Sequence, residues 1–432
     1  MPTVAYHTLG CKVNQYDTQA MEELLSSSGF ITVPFPGPAD IYLLNTCTVT
    51  GTGDKKSLQL ARKLKREHPG CILVLCGCLA QIKGESLLDS GADLIVGTQF
   101  RGQIVQLLNQ VLASGRPMSC VEPLPDSMPY EPLHVSGCQE HTRAILKIQE
   151  GCRNSCSYCI IPAVRGPIRS RPLGDIASEA ERLSVSGFKE VVLTGIHLSS
   201  YGKDFTPRSS LIDVLDLLEK TDGILRVRLG SLEPGIATDS FVSALSGFSK
   251  LCPQFHLALQ SGSDSVLRRM RRQYLTDGYL SAVSRLRSVF PDAAITTDVL
   301  TGFPGETESE FKETCDFIRK VVFSRIHVFP FSPRPGTPAA VMPGQLSDAV
   351  KQSRARMLIS VGNEVALCWN RRWIGRETVL LPEEKTDGCW EGYSPEYLRI
   401  RLDSGAVCTP GVPVRVRITS VSPRMIGGVV IE

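Results

Sequence analysis

Short apolar runs alternate with amphipathic stretches twice along this chain, and that alternation restricts the fold more than any other feature. Over residues 1–114, the runs Val4-Ala5-Tyr6, Ile41-Tyr42-Leu43-Leu44, Ile72-Leu73-Val74-Leu75 and Leu94-Ile95-Val96 lack the polar alternation of a half-exposed strand. They read as parallel strands buried on both faces. Asp17–Ser28, Lys55–Glu67 and Gly102–Leu112 repeat apolar residues at three- and four-residue steps, which predicts helices. The alternation restarts at Ala144. Residues 144–149, 190–195, 225–230, 254–259, 294–301 and 324–331 read as strands, each followed by a helical pattern. Six β/α units predict a partial or complete parallel barrel, with functional residues where strand C-termini meet loops. After about Cys368 only short β-like runs remain, Glu377–Leu381, Leu398–Leu402, Val412–Ser420 and Gly428–Ile431, and these predict a small antiparallel β-barrel. The expected organisation is an α/β domain over 1–114, a linker over 115–137 carrying Pro117, Pro123, Pro125, Pro129 and Pro132, a barrel over 138–367 and a β domain over 368–432.

Cysteines sit at the loops where this fold places its chemistry. Directly after the first barrel strand, Gly151 to Ile160 reads G-C-R-N-S-C-S-Y-C-I, which spaces Cys152, Cys156 and Cys159 as C-x3-C-x2-C. Three close thiolates can hold three corners of an iron–sulfur cube. Electron-transfer clusters are usually fully ligated by cysteine, whereas a three-cysteine loop leaves one iron open to a ligand, as a catalytic zinc keeps an open position. A zinc site would need a second Cys or His pair of matching spacing, and none follows. In the first domain Cys11, Cys47 and Cys78 each lie just beyond an apolar strand, where loops at one edge of a parallel sheet converge. That placement predicts a second metal cluster, with Cys76 competing with Cys78 on spacing alone. Cys71, Cys120, Cys138, Cys252, Cys315, Cys368, Cys389 and Cys408 form no ligand-spaced set and read as core or surface thiols.

Polar groups also mark the barrel strand ends: Thr194 and Gly195, Ser231 and Glu233, Gln260, and Asp298 on the fifth strand. The glycine would permit close approach of a ligand, and the carboxylates suit ribose hydroxyls. The start, Met1-Pro2-Thr3-Val4-Ala5-Tyr6, lacks the basic and apolar regions of a signal peptide, and no run reaches the length of a membrane span. A cytoplasmic location without a membrane partner is therefore expected, where 15 cysteines serve metal or redox chemistry rather than disulfides. Net charge is only +3, so charge alone does not announce a nucleic-acid binder. Two arginine groups stand out, Arg165/Arg169/Arg171 and Arg268/Arg269/Arg271/Arg272, and such a run commonly covers a solvated helix face.

With Tyr158 before its last cysteine, the C-x3-C-x2-C loop resembles the signature of radical S-adenosylmethionine (SAM) enzymes. The resemblance implies that the open iron chelates SAM and that an electron from the cluster cleaves it to a 5′-deoxyadenosyl radical. Leu9-Gly10-Cys11-Lys12-Val13-Asn14, Asn45-Thr46-Cys47-Thr48-Val49-Thr50 and Gly77-Cys78-Leu79-Ala80-Gln81 resemble the N-terminal domain of the radical-SAM methylthiotransferases, and the motif selects Cys78 over Cys76. Ile160-Ile161-Pro162-Ala163-Val164-Arg165-Gly166 and Ser170-Arg171-Pro172 continue that pattern, although the family often has Tyr where Ala163 stands. Two 4Fe–4S clusters are thus implied, held by Cys11/Cys47/Cys78 and Cys152/Cys156/Cys159. SAM is implied near Tyr158, Thr194, Gly195, Glu233, Gln260 and Asp298.

Gly302-Phe303-Pro304-Gly305-Glu306-Thr307 resembles a family turn of structural purpose, and Arg334 in a family proline segment is expected to face substrate or its phosphates. The last segment resembles a TRAM domain, an RNA-binding module, with Arg371, Arg372 and Arg376 contacting tRNA and Trp369 and Trp373 stacking on it. The Leu-Gly-Cys-Lys-Val-Asn and Leu193-Thr194-Gly195-Ile196-His197-Leu198 segments most resemble the branch that methylthiolates N6-threonylcarbamoyladenosine at position 37 of tRNA. The competing branches act on isopentenyladenosine of tRNA or on a ribosomal protein, and a non-enzymatic RNA-binding iron–sulfur protein is the alternative of another class. The chemistry further implies an electron donor, such as flavodoxin or ferredoxin, and a sulfur source.

Overall fold

The computed structural model describes residues 1–136 and 142–431, so the thiol assigned at Cys138 lies outside the described residues. The first layer runs β1 Thr3–Thr8, α1 Lys12–Ser27, β2 Ile31–Val33, β3 Ile41–Thr46, α2 Gly51–Glu67, β4 Ile72–Gly77, α3 Cys78–Lys83, β5 Leu94–Val96, α4 Ile104–Ser114 and β6 Met118–Cys120. Its six strands form one parallel sheet in the order β2-β1-β3-β4-β5-β6. Every residue of β3 is buried, as its unbroken apolar run requires of a central strand. Two elements depart from the sequence reading. Helix α1 begins at Lys12 rather than near Asp17, because Val13 and Tyr16 already bury on its inner face. The proline-rich segment expected as a linker begins with β6, and its Leu133 and Val135 pack on Tyr16 and Ala20.

The second layer comprises β7 Arg143–Glu150, α5 Ile161–Arg165, β8 Arg169–Ser170, α6 Leu173–Val185, β9 Glu190–Gly195, α7 Leu211–Lys220, β10 Arg226–Leu229, α8 Asp239–Leu245, β11 Gln254–His256, α9 Asp264–Arg269, α10 Thr276–Val289, β12 Ala294–Thr301, α11 Glu308–Val321, β13 Arg325–Pro330 and α12 Asp348–Arg371. The sheets β10-β9-β7-β8 and β11-β12-β13 are joined by parallel bridges at Val227–Leu251 and Leu232–Leu257, which makes a partial barrel. One face of these strands packs against the helices through Leu146, Ile148, Val191, Leu193 and Ile295. Alternation then turns Arg143, Lys147, Glu190, Arg228, His256, Asp298 and His327 to the other face, so the lumen is polar.

The last unit closes as β14 Glu377–Thr386, β15 Cys389–Tyr393, β16 Arg399–Leu402, β18 Ile426–Val430 and β17 Val414–Val421, in that spatial order. It is not wholly antiparallel as expected, since β16 pairs with β18 in parallel. It also starts later than residue 368, because α12 continues unbroken to Arg371.

Candidate active site

Strands β1, β3 and β4 are neighbours in the first sheet, and each hands the chain to a cysteine at the same edge. Cys11 takes the N-cap of the 16-residue helix α1. Gly10 before it has φ +115, and a Cβ there would lie 2.9 Å from the Cβ of Cys47. Only glycine lets these two loops meet so closely. Cys78 opens α3, and the Arg165 guanidinium donates to its Sγ at 3.3 Å. Burial pushes the Cys78 thiol up to about 11 against the opposing pull of Arg165, and burial also raises Cys47. Cys76 instead lies in the sheet interior with its thiol on the Leu44 carbonyl, so it does not share the edge.

The Cys152 loop leaves β7 through Gly151, whose φ of +72 and near contact with the Pro167 carbonyl exclude a side chain. Arg272 lies 3.0 Å from the Cys156 Sγ and makes a two-pronged pair with Glu233 at 2.7 and 2.6 Å. Its Nη1 also approaches the Tyr158 hydroxyl at 3.4 Å, and its plane lies over Tyr274. Burial raises Cys152, and it takes Cys159 up to about 12. Such thiols stay protonated until a metal displaces the proton.

Beside this loop a cavity of about 480 Å³ is lined by Asn154, His197, Glu233, Gln273 and Tyr274, among others. The two cysteine sets are adjacent across the layers: Cys78 packs against Ile160, the residue after Cys159, and against Val164. Among the described residues no three His, Cys, Asp or Glu side chains converge as around a single metal ion. A cubane binds each thiolate on a different iron, so three spaced thiols with a cation beside one of each set suit a cluster. Both cysteine sets fit that group.

The remaining candidates separate. Glu233 stays with the Cys152 loop, whereas Asp298 sits in the lumen, 3.4 Å from His256. Gln260 adopts φ +69 and bridges to Val299, with its amide donating to the Asp298 carbonyl. Thr194 is buried on the lumen side of β9. At Gly195 the space a Cβ would need is filled by Gln149 and Leu198, so on that face the glycine makes room for protein rather than for a ligand.

Arg334 turns into the protein rather than outward. It is buried and donates to Thr48 and Asp54, which ties the barrel to the loop after Cys47. Trp369 and Trp373 do not stack on RNA either; both are core residues beneath the C-terminal barrel. Arg371 and Arg372 are exposed, with Arg372 and Arg376 on Asp292. Arg165, Arg169 and Arg171 form no solvated face: all three are buried, paired with Asp17, Glu150 and Glu179 among others. Glu306 caps its own turn by accepting from the amides of Gly302 and Phe303, the structural purpose expected of that segment.

Sequence reasoning did not single out Arg272, Gln149, Lys12 or Tyr397 as site residues. The arginine run was the signal for Arg272. Lys12 stood in the quoted motif after Cys11 without being given a role, and Gln149 and Tyr397 show no local pattern.

A family model described as uncharacterized protein family UPF0004 matches residues 3–97, and the radical SAM superfamily model matches 146–318. The chain is 39% identical to the threonylcarbamoyladenosine tRNA methylthiotransferase MtaB of Bacillus subtilis, over 93% of this chain and 90% of that protein. It is 38% identical to the protein of the same name from Thermotoga maritima, over 92% and 91%. It is also 35% identical to the tRNA-2-methylthio-N(6)-dimethylallyladenosine synthase of Frankia alni, over 96% and 86%. Among solved structures, the radical SAM methyltransferase TsrM of Kitasatospora setae shares the fold at TM-score 0.57 and 14% identity, over 79% of this chain and 77% of that one.

Proposed function

The chain belongs to the radical SAM tRNA methylthiotransferases, and from that premise we propose that it transfers a methylthio group to C2 of N6-threonylcarbamoyladenosine at position 37 of tRNA. The observation that carries this reading is the packing of Cys78 on Ile160, which sets two three-cysteine sites side by side around one polar lumen. Cys152, Cys156 and Cys159 would hold one 4Fe–4S cluster, and Cys11, Cys47 and Cys78 a second. When bound, the groups supply hydrogen abstraction from an inert C–H bond on one side and sulfur handling on the other.

The protein's own residues position. Arg272 and Arg165 fix one thiol of each set and offset its charge. Asn154, His197 and Glu233 line the cavity beside the Cys152 loop, where SAM would be received. The pairing of Glu233 with Arg272 couples that cavity to the cysteine it touches. The lumen, carrying Asp298, His256 and His327, suits a polar N6-substituent better than a hydrocarbon one. Exposed Arg371 and Arg372 beside the C-terminal barrel would meet the tRNA backbone. An electron donor such as flavodoxin or ferredoxin, a separate sulfur source and a cytoplasmic site of action complete the reading.

Mass spectrometry of tRNA nucleosides from a deletion strain tests it. The 2-methylthio derivative of threonylcarbamoyladenosine should vanish and return with the plasmid-borne gene. Loss of the dimethylallyl counterpart instead would move the enzyme to the other branch. Iron content tests the two-site part. Cys11→Ala should lower iron from about eight to about four per chain while 5′-deoxyadenosine still forms from SAM and reductant. Loss of all iron would contradict separate sites.

A further inference from the structure

Lys12, next to Cys11 at the start of α1, lines a cavity of about 300 Å³ with Gln15, Arg143, Ile145, Val192 and Tyr397. Arg143 and Ile145 on β7 and Val192 on β9 belong to the lumen face, because their neighbours Ala144, Leu146, Val191 and Leu193 pack against the helices. Tyr397, held at φ +65, comes from the C-terminal barrel and bounds the same space. Lys12 is exposed to solvent within that space. It therefore projects from the cysteine edge of the first sheet into the barrel.

The other cations there are already engaged. Two carboxylates line the cavity as well, and each has a cation: Glu383 pairs with Arg143 and Glu384 with Arg399. Arg228 lies 2.8 Å from Glu190 and donates to the carbonyls of Ser394 and Pro395 at 3.1 and 3.0 Å. Among the described residues the Lys12 ammonium has no hydrogen bond or ion pair. An ammonium without a partner in a cavity can take up an entering anion through a charge-assisted hydrogen bond. On the reading that the substrate is N6-threonylcarbamoyladenosine, the N6-substituent ends in a carboxylate, whereas a dimethylallyl group offers no acceptor.

We infer that Lys12 is a specificity-determining residue whose ammonium binds the carboxylate of the N6-substituent, selecting an amino-acid-derived group over a hydrocarbon one. Selection has two parts. The carboxylate gains a charge-assisted hydrogen bond, and an apolar substituent would strip water from the ammonium without offering it an acceptor.

The test uses holoenzyme and three anticodon stem-loop RNAs that differ only at residue 37, carrying the threonylcarbamoyl group, its neutral carboxamide, or a dimethylallyl group. Binding is measured anaerobically by fluorescence anisotropy. The wild-type enzyme should prefer the carboxylate RNA to the carboxamide by roughly tenfold, the size of one charge-assisted hydrogen bond. Lys12→Met should erase that preference by weakening only the carboxylate RNA, and Lys12→Arg should keep it, both at wild-type iron content. A Lys12→Met enzyme with full iron that still prefers the carboxylate overturns the inference. If that variant loses iron, the wild-type comparison decides: equal affinity for carboxylate and carboxamide overturns the inference without any variant. Tightest binding of the dimethylallyl RNA, with threonylcarbamoyl modification intact in the deletion strain, defeats the substrate reading itself. Tight threonylcarbamoyl binding with no carboxylate preference defeats only the role of Lys12.

Discussion

One guanidinium stands beside each cysteine set, and both are held by carboxylates rather than by solvent. Arg165 reaches the Cys78 Sγ and the Asn14 side chain while Asp17 at 2.9 Å and Glu150 at 2.6 Å accept from its Nη1. Arg101 and Lys147 complete this buried group. Neighbouring cations hold Asp17 below the usual carboxylate range despite a burial penalty that acts the other way. Two carboxylates face three cations here, so removing Arg165 leaves the charge balanced but takes the donors from Asp17, Glu150 and Asn14 in a dry interior, a loss of about 3–5 kcal/mol in sum. Arg165→Met should therefore lower the unfolding free energy by about that amount in anaerobic denaturant titration. A loss smaller than about 1 kcal/mol would show that Arg101 and Lys147 suffice. Arg165→Lys should recover only part, because an ammonium cannot span sulfur, amide and two carboxylates at once. The arginine pattern gave no access to this arrangement. Asp17 lies 148 residues from Arg165, and only the packing of α1 on β7 brings them together.

At the scale of elements, what a segment buries decided how well its sequence could be read. The unbroken apolar strands β3 and β4 and the barrel strands β7, β9 and β12 fall close to where their patterns predict. Strands β2 and β6, three residues each, and β15, with Trp390-Glu391-Gly392 in its middle, exist through pairing with neighbours rather than through their own pattern. Helix starts were legible where caps are local. Thr307 and Glu310 form a reciprocal capping box at the head of α11.

The same Glu310 carboxylate accepts both prongs of Arg269 on α9 at 2.9 and 2.8 Å, a long-range clamp that no local motif encodes. Arg269 first, then the Ser265 hydroxyl and the Thr307 amide, hold Glu310 down at about 2. An acid depressed in the fold adds stability above its unfolded value near 4.5, and that stability is lost as pH falls through the window toward about 2. Glu310→Gln should cost about 1–2 kcal/mol after allowance for solvent screening. The difference from wild type should be constant between pH 8 and 6 and should narrow only below about 4.5. A difference that varies between pH 8 and 6 would place another group in control.

Taken as a whole molecule, the C-terminal barrel is the floor of the central one as well as an appended module. Arg226 donates to the carbonyls of Tyr393 and Val379 at 3.2 and 2.8 Å, and Arg228 to those of Ser394 and Pro395. Tyr393 and Tyr397 stack at 4.7 Å, with Arg143 over one ring and Arg228 over the other. This junction was hidden in the sequence because it uses backbone carbonyls, which carry no residue signature. The C-x3-C-x2-C spacing, by contrast, is local and legible, whereas Cys11, Cys47 and Cys78 were read from three separate strand ends, and spacing alone left Cys76 against Cys78. On the proposed function, tRNA contact by the C-terminal barrel and the shape of the lumen would share this joint.

Arg228→Met removes the donors but keeps an unbranched side chain of similar length. It also leaves Glu190 without its closest cation. The loss of two charge-assisted hydrogen bonds at a junction should cost about 2–4 kcal/mol there. Limited trypsin digestion should then release a fragment beginning near Arg371 or Arg376 from the variant under conditions that leave the wild type intact. Affinity for the anticodon stem-loop should fall in parallel. Iron content should stay at the wild-type value, since neither cysteine set touches Arg228. A variant as resistant to trypsin as the wild type would mean that α12 and the Trp369–Trp373 core hold the barrel in place alone. The lumen floor would then be a contact the molecule can lose.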